Sequence, residues 1–369
     1  MPSRTLFAAC VLLGLSLACE RQPPEAAAPA HQPVVAELIT MLDARQPLRA
    51  ALETAIDKAA VEGVDSLDDF YRYVDELVTW VPIERELAPR AIKFHFIVNQ
   101  APDDQLNEDP EFAEWMSRLA IAWEHFLDTP ASAAQLETFI KNPDYHIDDY
   151  AAAPSGWLTF NQFFARSIRA GKRPVSDPRD DAVIVSPADA VFKGSWLINA
   201  DSQITVKGVT WPIAQLLADS PYNDAFRNGI YAHSFLYVDD YHRFHTPVAG
   251  EVKDVRNIHG RIYLDVQRKD DGGLEVIDGE TYQFNQERGL IVLDSPKLGL
   301  VAVLPIGMSF VSSVQLNTDV GANLRKGDEF GYFMCGGSDV VILFSRPDIT
   351  FEAEIGTKYL QGQRIAKMK

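Results

Sequence analysis

From about Asp180 onward the chain breaks into short β-type runs separated by Gly, Asp and Asn, and no other feature of the sequence constrains the fold as strongly. The runs are Ala182 to Val185, Ile204 to Val206, Ile230 to Val238, Gly250 to Val255, Arg261 to Val266, Leu290 to Leu293, Leu300 to Leu304 and Val340 to Phe344. Between Val34 and about Tyr150 the pattern is helical instead. Ser66 and Asp69 form an N-cap with an acid at the third helical position, and Phe70, Val74, Leu77, Val78 and Val81 then recur at helical spacing up to Pro82. Asp109-Pro110 is a second start signal, opening a face of Phe112, Trp115, Met116, Leu119, Trp123 and Phe126, and Thr129-Pro130 is a third. Aromatics at this spacing predict a packed core face rather than a cofactor box. The expectation is an α+β protein: an N-terminal acidic helical domain over 34–150, then a compact mixed β-sheet domain over 151–369.

The formal charge is −18, which argues against nucleic acid as a partner because such a surface repels phosphates. Residues 101–150 alone hold 12 acids against Arg118 and Lys141, which reads as a solvated helical face that disfavours anionic lipid. Nowhere is there an uninterrupted run of about 18 apolar residues, the length a spanning helix needs. The run Leu6 to Leu17 follows Arg4 and stops at Ala18-Cys19, which is the layout of a secretory signal over 1–18. A small residue directly before a Cys resembles the bacterial lipobox, although Ser16 stands where Leu is usual. Cleavage there would remove Cys10, acylate Cys19 and leave Cys335 as a lone thiol, so no intrachain disulfide is expected. Residues 19–33, rich in Pro and Ala, then form an extended tether. Glu20, rather than Asp, after the Cys points to a periplasm-facing protein anchored at the outer membrane.

Residues able to do chemistry concentrate in three segments: Ser186-Pro187-Ala188-Asp189; Asp239 through Pro247, with His242 and His245 three apart; and Gly336-Gly337-Ser338-Asp339, which runs into the apolar VVILF. A Ser, a His and an acid are what an activated hydroxyl nucleophile requires, since serine is unreactive until a base takes its proton. Composition alone carries this only weakly, because any chain of this size contains those residues. On an extended segment the imidazoles of His242 and His245 point to opposite faces, which disfavours a metal site; histidines satisfied by backbone carbonyls are the plain alternative. There is no GxGxxG, P-loop or HExxH.

Taken in order, these segments resemble the phosphatidylserine decarboxylases and their pyruvoyl-dependent relatives. The resemblance starts at Phe160-Asn161-Gln162-Phe163-Phe164-Ala165-Arg166 and Gly171-Lys172-Arg173-Pro174. It passes through VSPADA (185–190), KGVTWPIAQLL (207–217), DYHRFHTPVAGEV (240–252), Ile306-Gly307-Met308 and KGDEFGYF (326–333) to GGSDVVILF (336–344). It implies a proenzyme that cuts itself between Gly337 and Ser338. Ser338 attacks the preceding carbonyl, the peptide becomes an ester, and elimination with hydrolysis leaves a pyruvoyl group formed from Ser338 on the new α chain, packed against its β chain. Glycine suits the bent backbone this needs. The resemblance makes His245 the base, Asp189 its orienting acid and His242 a substrate-handling residue. It makes the pyruvoyl carbonyl an internal electron sink, so that no external cofactor and no metal is expected. His245 would also return a proton to the product, its ordinary pKa being near neutrality.

Asp339 stands where the family generally has Thr or Ser, Ala190 where Gly is common, and Cys335 is unusual. The family implies phosphatidylserine as substrate, and a lipid anchor would hold the enzyme within reach of it. The N-terminal domain and the IGM block resemble the soluble branch, which includes decarboxylases of free amino acids such as tryptophan. A lipoprotein that binds or scaffolds without turnover is the alternative of another class.

Overall fold

The computed structural model describes residues 31–206, 208–277, 282–308, 313–334 and 338–369. Cys10, Cys19, Lys207, Cys335, Gly336 and Gly337 lie outside them, and with them the expected signal, the expected acylation site and one side of the expected cleavage bond.

Helices fill the first part of the described chain. The longer ones are Pro33–Ala44, Gln46–Ala59, Leu67–Val78, Glu84–Val98 and Pro110–Leu127. The Leu67–Val78 helix starts where the Ser66 hydroxyl accepts the Asp69 N–H at 3.2 Å, with Asp68 and Asp69 placed favourably at its positive end. It buries Phe70, Val74, Leu77 and Val78 and stops short of Val81. The Asp109 carboxylate accepts the Glu111 and Phe112 N–H groups at 3.1 and 3.0 Å and so opens Pro110–Leu127. Trp115 on that helix donates its indole N–H to the Val34 carbonyl at 2.8 Å, pinning the first helix to it. Thr129-Pro130 starts only a 3-10 segment, Pro130–Gln135, and Thr129 makes no side-chain cap.

The second part is organised by one eight-stranded sheet. Its order is Asn323–Leu324, Gly250–Ile258, Arg288–Ser295, Gly299–Gly307, Ser338–Phe344, Ile230–Leu236, Ala190–Leu197 and Lys358–Tyr359. The expected mixed sheet needs correction: among the described residues every strand ladder is antiparallel, and the single parallel pairing is the isolated bridge Arg261↔Gln286. Central neighbours such as Arg288–Ser295 and Gly299–Gly307 are joined by a tight turn, and such a hairpin can only be antiparallel. Of Arg261 to Val266 only Val266 is in a strand, the first residue of Val266–Arg268, whereas Ala190–Leu197 is a strand despite Lys193 and Gly194.

Both faces of the sheet are covered. Val301, Val303, Val340 and Ile342 share one apolar cluster with Phe70, Trp115 and Leu119 of the helices. Ala302, Leu304, Val341 and Leu343 face Ile204, Ile213 and Leu216 on the other side. Burial on both faces is why VVILF is apolar at every position instead of alternating. Two three-stranded sheets flank this core: Ser313–Leu316 with Glu329–Met334 and Arg243–His245, and Ile349–Phe351 with Arg364–Met368 and Val183–Val185.

Candidate active site

Ser338 is the first residue of its strand, register partner of Leu236 on one side and of Gly307, from the IGM block, on the other. Leu236 ends the strand that runs into the histidine segment. The Phe333 N–H, at the end of the strand preceding 335–337, donates to the His242 carbonyl at 2.9 Å. The histidine segment is thus tied to the chain ahead of the glycine pair, and the strand that leads into it pairs with the chain behind it.

A tight turn aims that segment. The Asp240 carboxylate accepts the Tyr237 N–H at 2.7 Å, and the guanidinium of Arg166 donates to the Asp239 and Asp240 carbonyls at 2.7 and 2.9 Å. Arg166 is itself buried, 4.2 Å over the Tyr150 ring. Burial pushes the Asp240 carboxyl up to about 6 against the opposing pull of its ion-pair partner Lys358.

The two histidines occupy different surroundings. His242 is fully buried, stacked on Phe164 with ring centroids 3.9 Å apart, and neither ring nitrogen has a hydrogen-bond partner among the described residues. Burial and then the charge of Arg166 hold it well below the usual imidazole range, only partly opposed by the Asp240 backbone. His245 places Nδ1 2.9 Å from the Gly327 carbonyl and Nε2 3.2 Å from the Tyr241 hydroxyl. A carbonyl only accepts, so Nδ1 carries the proton and Nε2 keeps its lone pair. Burial lowers the His245 pKa despite the Gly327 carbonyl and the charges of Glu329 and Asp189, leaving the ring neutral at pH 7. Gly327 is required where it stands: its φ is +85°, and a Cβ would lie 2.4 Å from Val175.

Asp189 is buried beside this ring but does not bond to it. Its carboxylate takes Arg173 Nε at 2.9 and 3.0 Å, Arg173 Nη2 at 2.6 Å and the Gln361 N–H at 2.8 Å. Arg173 continues to Asp149 at 3.0 Å. The tautomer expected to be held by Asp189 is therefore set here by Gly327, and Asp189 reaches His245 through its charge. The SPAD segment is nevertheless fastened to the histidine, because the His245 N–H donates to the Pro187 carbonyl at 2.8 Å.

Sequence reasoning assigned no role to Arg173, Tyr241, Gly327 or Arg166, although each lies within a block that carries the resemblance. Lys358 lies in none of them. A cavity of about 450 Å³ opens where the helices meet the sheet, lined by Lys193, Phe235, Tyr237, Tyr263, Asp265 and Met308 among others. Phe235 is the register partner of Asp339, so the cavity borders the start of the Ser338 strand.

Comparison with known proteins places this arrangement. A phosphatidylserine decarboxylase family profile matches residues 160–367, more than half of the chain. Phosphatidylserine decarboxylase proenzyme 3 of Schizosaccharomyces pombe is 33% identical over 249 residues, 65% of this chain and 25% of that protein. The proenzyme of a Geobacillus species is 29% identical over 248 residues, 66% of this chain and 91% of the relative, and that of Fusobacterium nucleatum 25% identical over 229 residues, 62% and 74%. The chain spans only 25%, 36% and 22% of the S. pombe, Oryza sativa and Komagataella phaffii relatives. A profile match running from the Phe160 helix to the last strand, through all three chemical segments, establishes that the chain belongs to the phosphatidylserine decarboxylase family.

Proposed function

We propose that this chain is a proenzyme that cuts its own Gly337-Ser338 bond and then decarboxylates phosphatidylserine to phosphatidylethanolamine and carbon dioxide. The observation that carries the reading is the state of His245, a neutral imidazole whose Nε2 is the acceptor, approached by the Tyr241 hydroxyl, in a segment bonded to Phe333 ahead of the glycine pair and led into by the strand that pairs with Ser338. As the Ser338 hydroxyl oxygen bonds to the Gly337 carbonyl carbon, its proton passes to Nε2. The C–N bond then breaks and the nitrogen of residue 338 is protonated, leaving an ester. Loss of the Cα proton expels the Gly337 carboxylate from Cβ, and water releases ammonia. These steps are redox-neutral and need no metal.

The pyruvoyl group formed from Ser338 supplies an electron sink for the pair left when the substrate's α-carboxylate departs. His242, buried with both ring nitrogens unpartnered, fits the substrate side of this site, since a group without a protein partner is available to a ligand. His245 Nε2 can return a proton to the product, and Asp189 with Arg173 holds the charge balance beside it. We further read 34–150 as a helical domain packed on a catalytic domain over 151–369, with Cys19 lipidated and the protein facing the periplasm.

Wild-type protein should yield a C-terminal fragment of residues 338–369, 32 residues long, blocked by a carbonyl that an amine and cyanoborohydride trap. Ser338→Ala should stay full length. Carbon dioxide should be released from phosphatidylserine vesicles in preference to a panel of free amino acids. Cleavage of the Ser338→Ala protein at the same bond would reject the pyruvoyl reading, and release from the amino acids alone would reassign the substrate.

A further inference from the structure

Asp339, the residue after the proposed nucleophile, is fully buried on the sheet face it shares with Val341 and Leu343. Its carboxylate Oδ1 lies 2.6 Å from Nε2 of His233, a buried histidine on the neighbouring Ile230–Leu236 strand. The register pairs Asp339 with Phe235 and Val341 with His233, so the two side chains are diagonal neighbours on one face, the geometry of a cross-strand pair. Gln283, also buried, brings its amide nitrogen within 3.4 Å of the same imidazole nitrogen. None of these groups has a part in the chemistry assigned above.

A carboxylate at this position poses an electrostatic problem. Attack on the Gly337 carbonyl places negative charge on an oxygen two residues along the chain from the buried Asp339 carboxylate. Successive residues of a strand point to opposite faces, so the strand itself directs Asp339 toward His233. We infer that His233 is a positioning residue for self-cleavage: it binds the Asp339 carboxylate and holds it on the Val341 face while the bond before Ser338 is cut. The inference rests on the self-cleavage reading above. It also explains how this chain carries an acid where a hydroxyl residue is usual.

A double-mutant cycle on the full-length proenzyme tests it, with the rate of appearance of the 338–369 fragment as readout. His233→Leu should slow cleavage by about one to two orders of magnitude, the size of a hydrogen bond to a charged group. In an Asp339→Asn background, which removes the charge, the same change should cost less than about threefold, because the interaction it disrupts is gone. Wild-type rates for His233→Leu, or equal slowing in both backgrounds, would overturn the inference. Thermal unfolding of each variant on a Ser338→Ala background separates the roles further: a purely structural defect lowers the melting temperature and slows both backgrounds alike, which counts against positioning. Should the wild type itself fail to cut at 337–338, the function reading falls; should it cut without coupling between the two residues, only this inference does.

Discussion

Removing Arg173 is the sharpest test of how the site is held. Its side chain and that of Asp189 are 5% and 3% exposed, and three of the four hydrogen bonds to the Asp189 carboxylate come from this guanidinium. Burial pulls the Arg173 pKa down, but Asp189 and Asp149 outweigh it and raise the net value, so the guanidinium keeps its charge. Arg173→Met leaves a buried carboxylate with a single backbone donor. Breaking such a pair from one side costs about 3–5 kcal/mol. For a domain of 150–250 residues that lowers Tm by roughly 6–20 °C. The assay is thermal unfolding followed by circular dichroism on a Ser338→Ala background, which keeps every variant as one uncut chain. Adding Asp189→Asn to Arg173→Met removes the stranded charge and should recover more than half of the loss. The same single variant should raise the His245 pKa, because Asp189 already pulls it upward and would act without its counter-ion. Less of the base would then be neutral near pH 7, and cleavage should slow below that of wild type at pH 6.5 but approach it at pH 8. A loss under about 1 kcal/mol, with no recovery in the double variant, would show that the Arg173–Asp189 pair does not hold the site.

Other outcomes follow from the same geometry. His245→Ala should accumulate proenzyme, losing on the order of 10² to 10⁴ in cleavage rate, whereas His242→Ala should mature and then fail in carbon dioxide release; a time course of fragment and gas that gave the opposite pairing would reverse the two roles. His95, fully buried in the helical part, is pushed down to about 3 by burial. Below pH 6.5 the unfolded chain takes up a proton that the folded one refuses, so stability is present above that pH and is lost as pH falls toward 3, by up to about 1.4 kcal/mol per unit. His95→Leu should flatten this slope in urea titrations across pH 4–6.5, and an unchanged slope would show the residue is not its source. Metabolic labelling with palmitate should mark the wild type and not Cys19→Ala, and equal labelling would remove the anchor.

Much of the fold was legible wherever a local rule was enforced by burial. Asp109 and Ser66 cap helices as their spacing demands, and VVILF is a strand because both of its faces are covered. Ala190–Leu197 was not legible, since Lys193 and Gly194 interrupt any alternation; the strand tolerates them through a register shift between Phe192 and Gly194, with Gly194 at φ +145°. Arg261 to Val266 has the right residues, but only Val266 joins a ladder, with Val276, and Arg261 an isolated bridge; the Tyr263 and Leu264 carbonyls accept from the side-chain amides of Gln286 and Asn99 instead. The site divides in the same way. The residue types of the proposed self-cleavage are suggested by the blocks, because that chemistry demands a hydroxyl, a base and an acid. Which groups hold them is not, because spacing within a block does not name a partner: Tyr241 is 4 positions from His245 and Arg173 16 from Asp189, while Gly327 reaches His245 from 82 and Gln361 reaches Asp189 from 172. A triad inferred from order alone assigns the acid to the histidine, since those are the partners it contains. In the folded chain a backbone carbonyl fixes the base and an arginine holds the acid, so the base stays neutral without surrendering its proton acceptor to a neighbouring charge. A carboxylate bonded directly to Nδ1 would raise the pKa of the ring and favour the protonated form. A carbonyl at the same place selects the tautomer at less electrostatic cost, which suits the proposed role of His245 in accepting a proton from a serine.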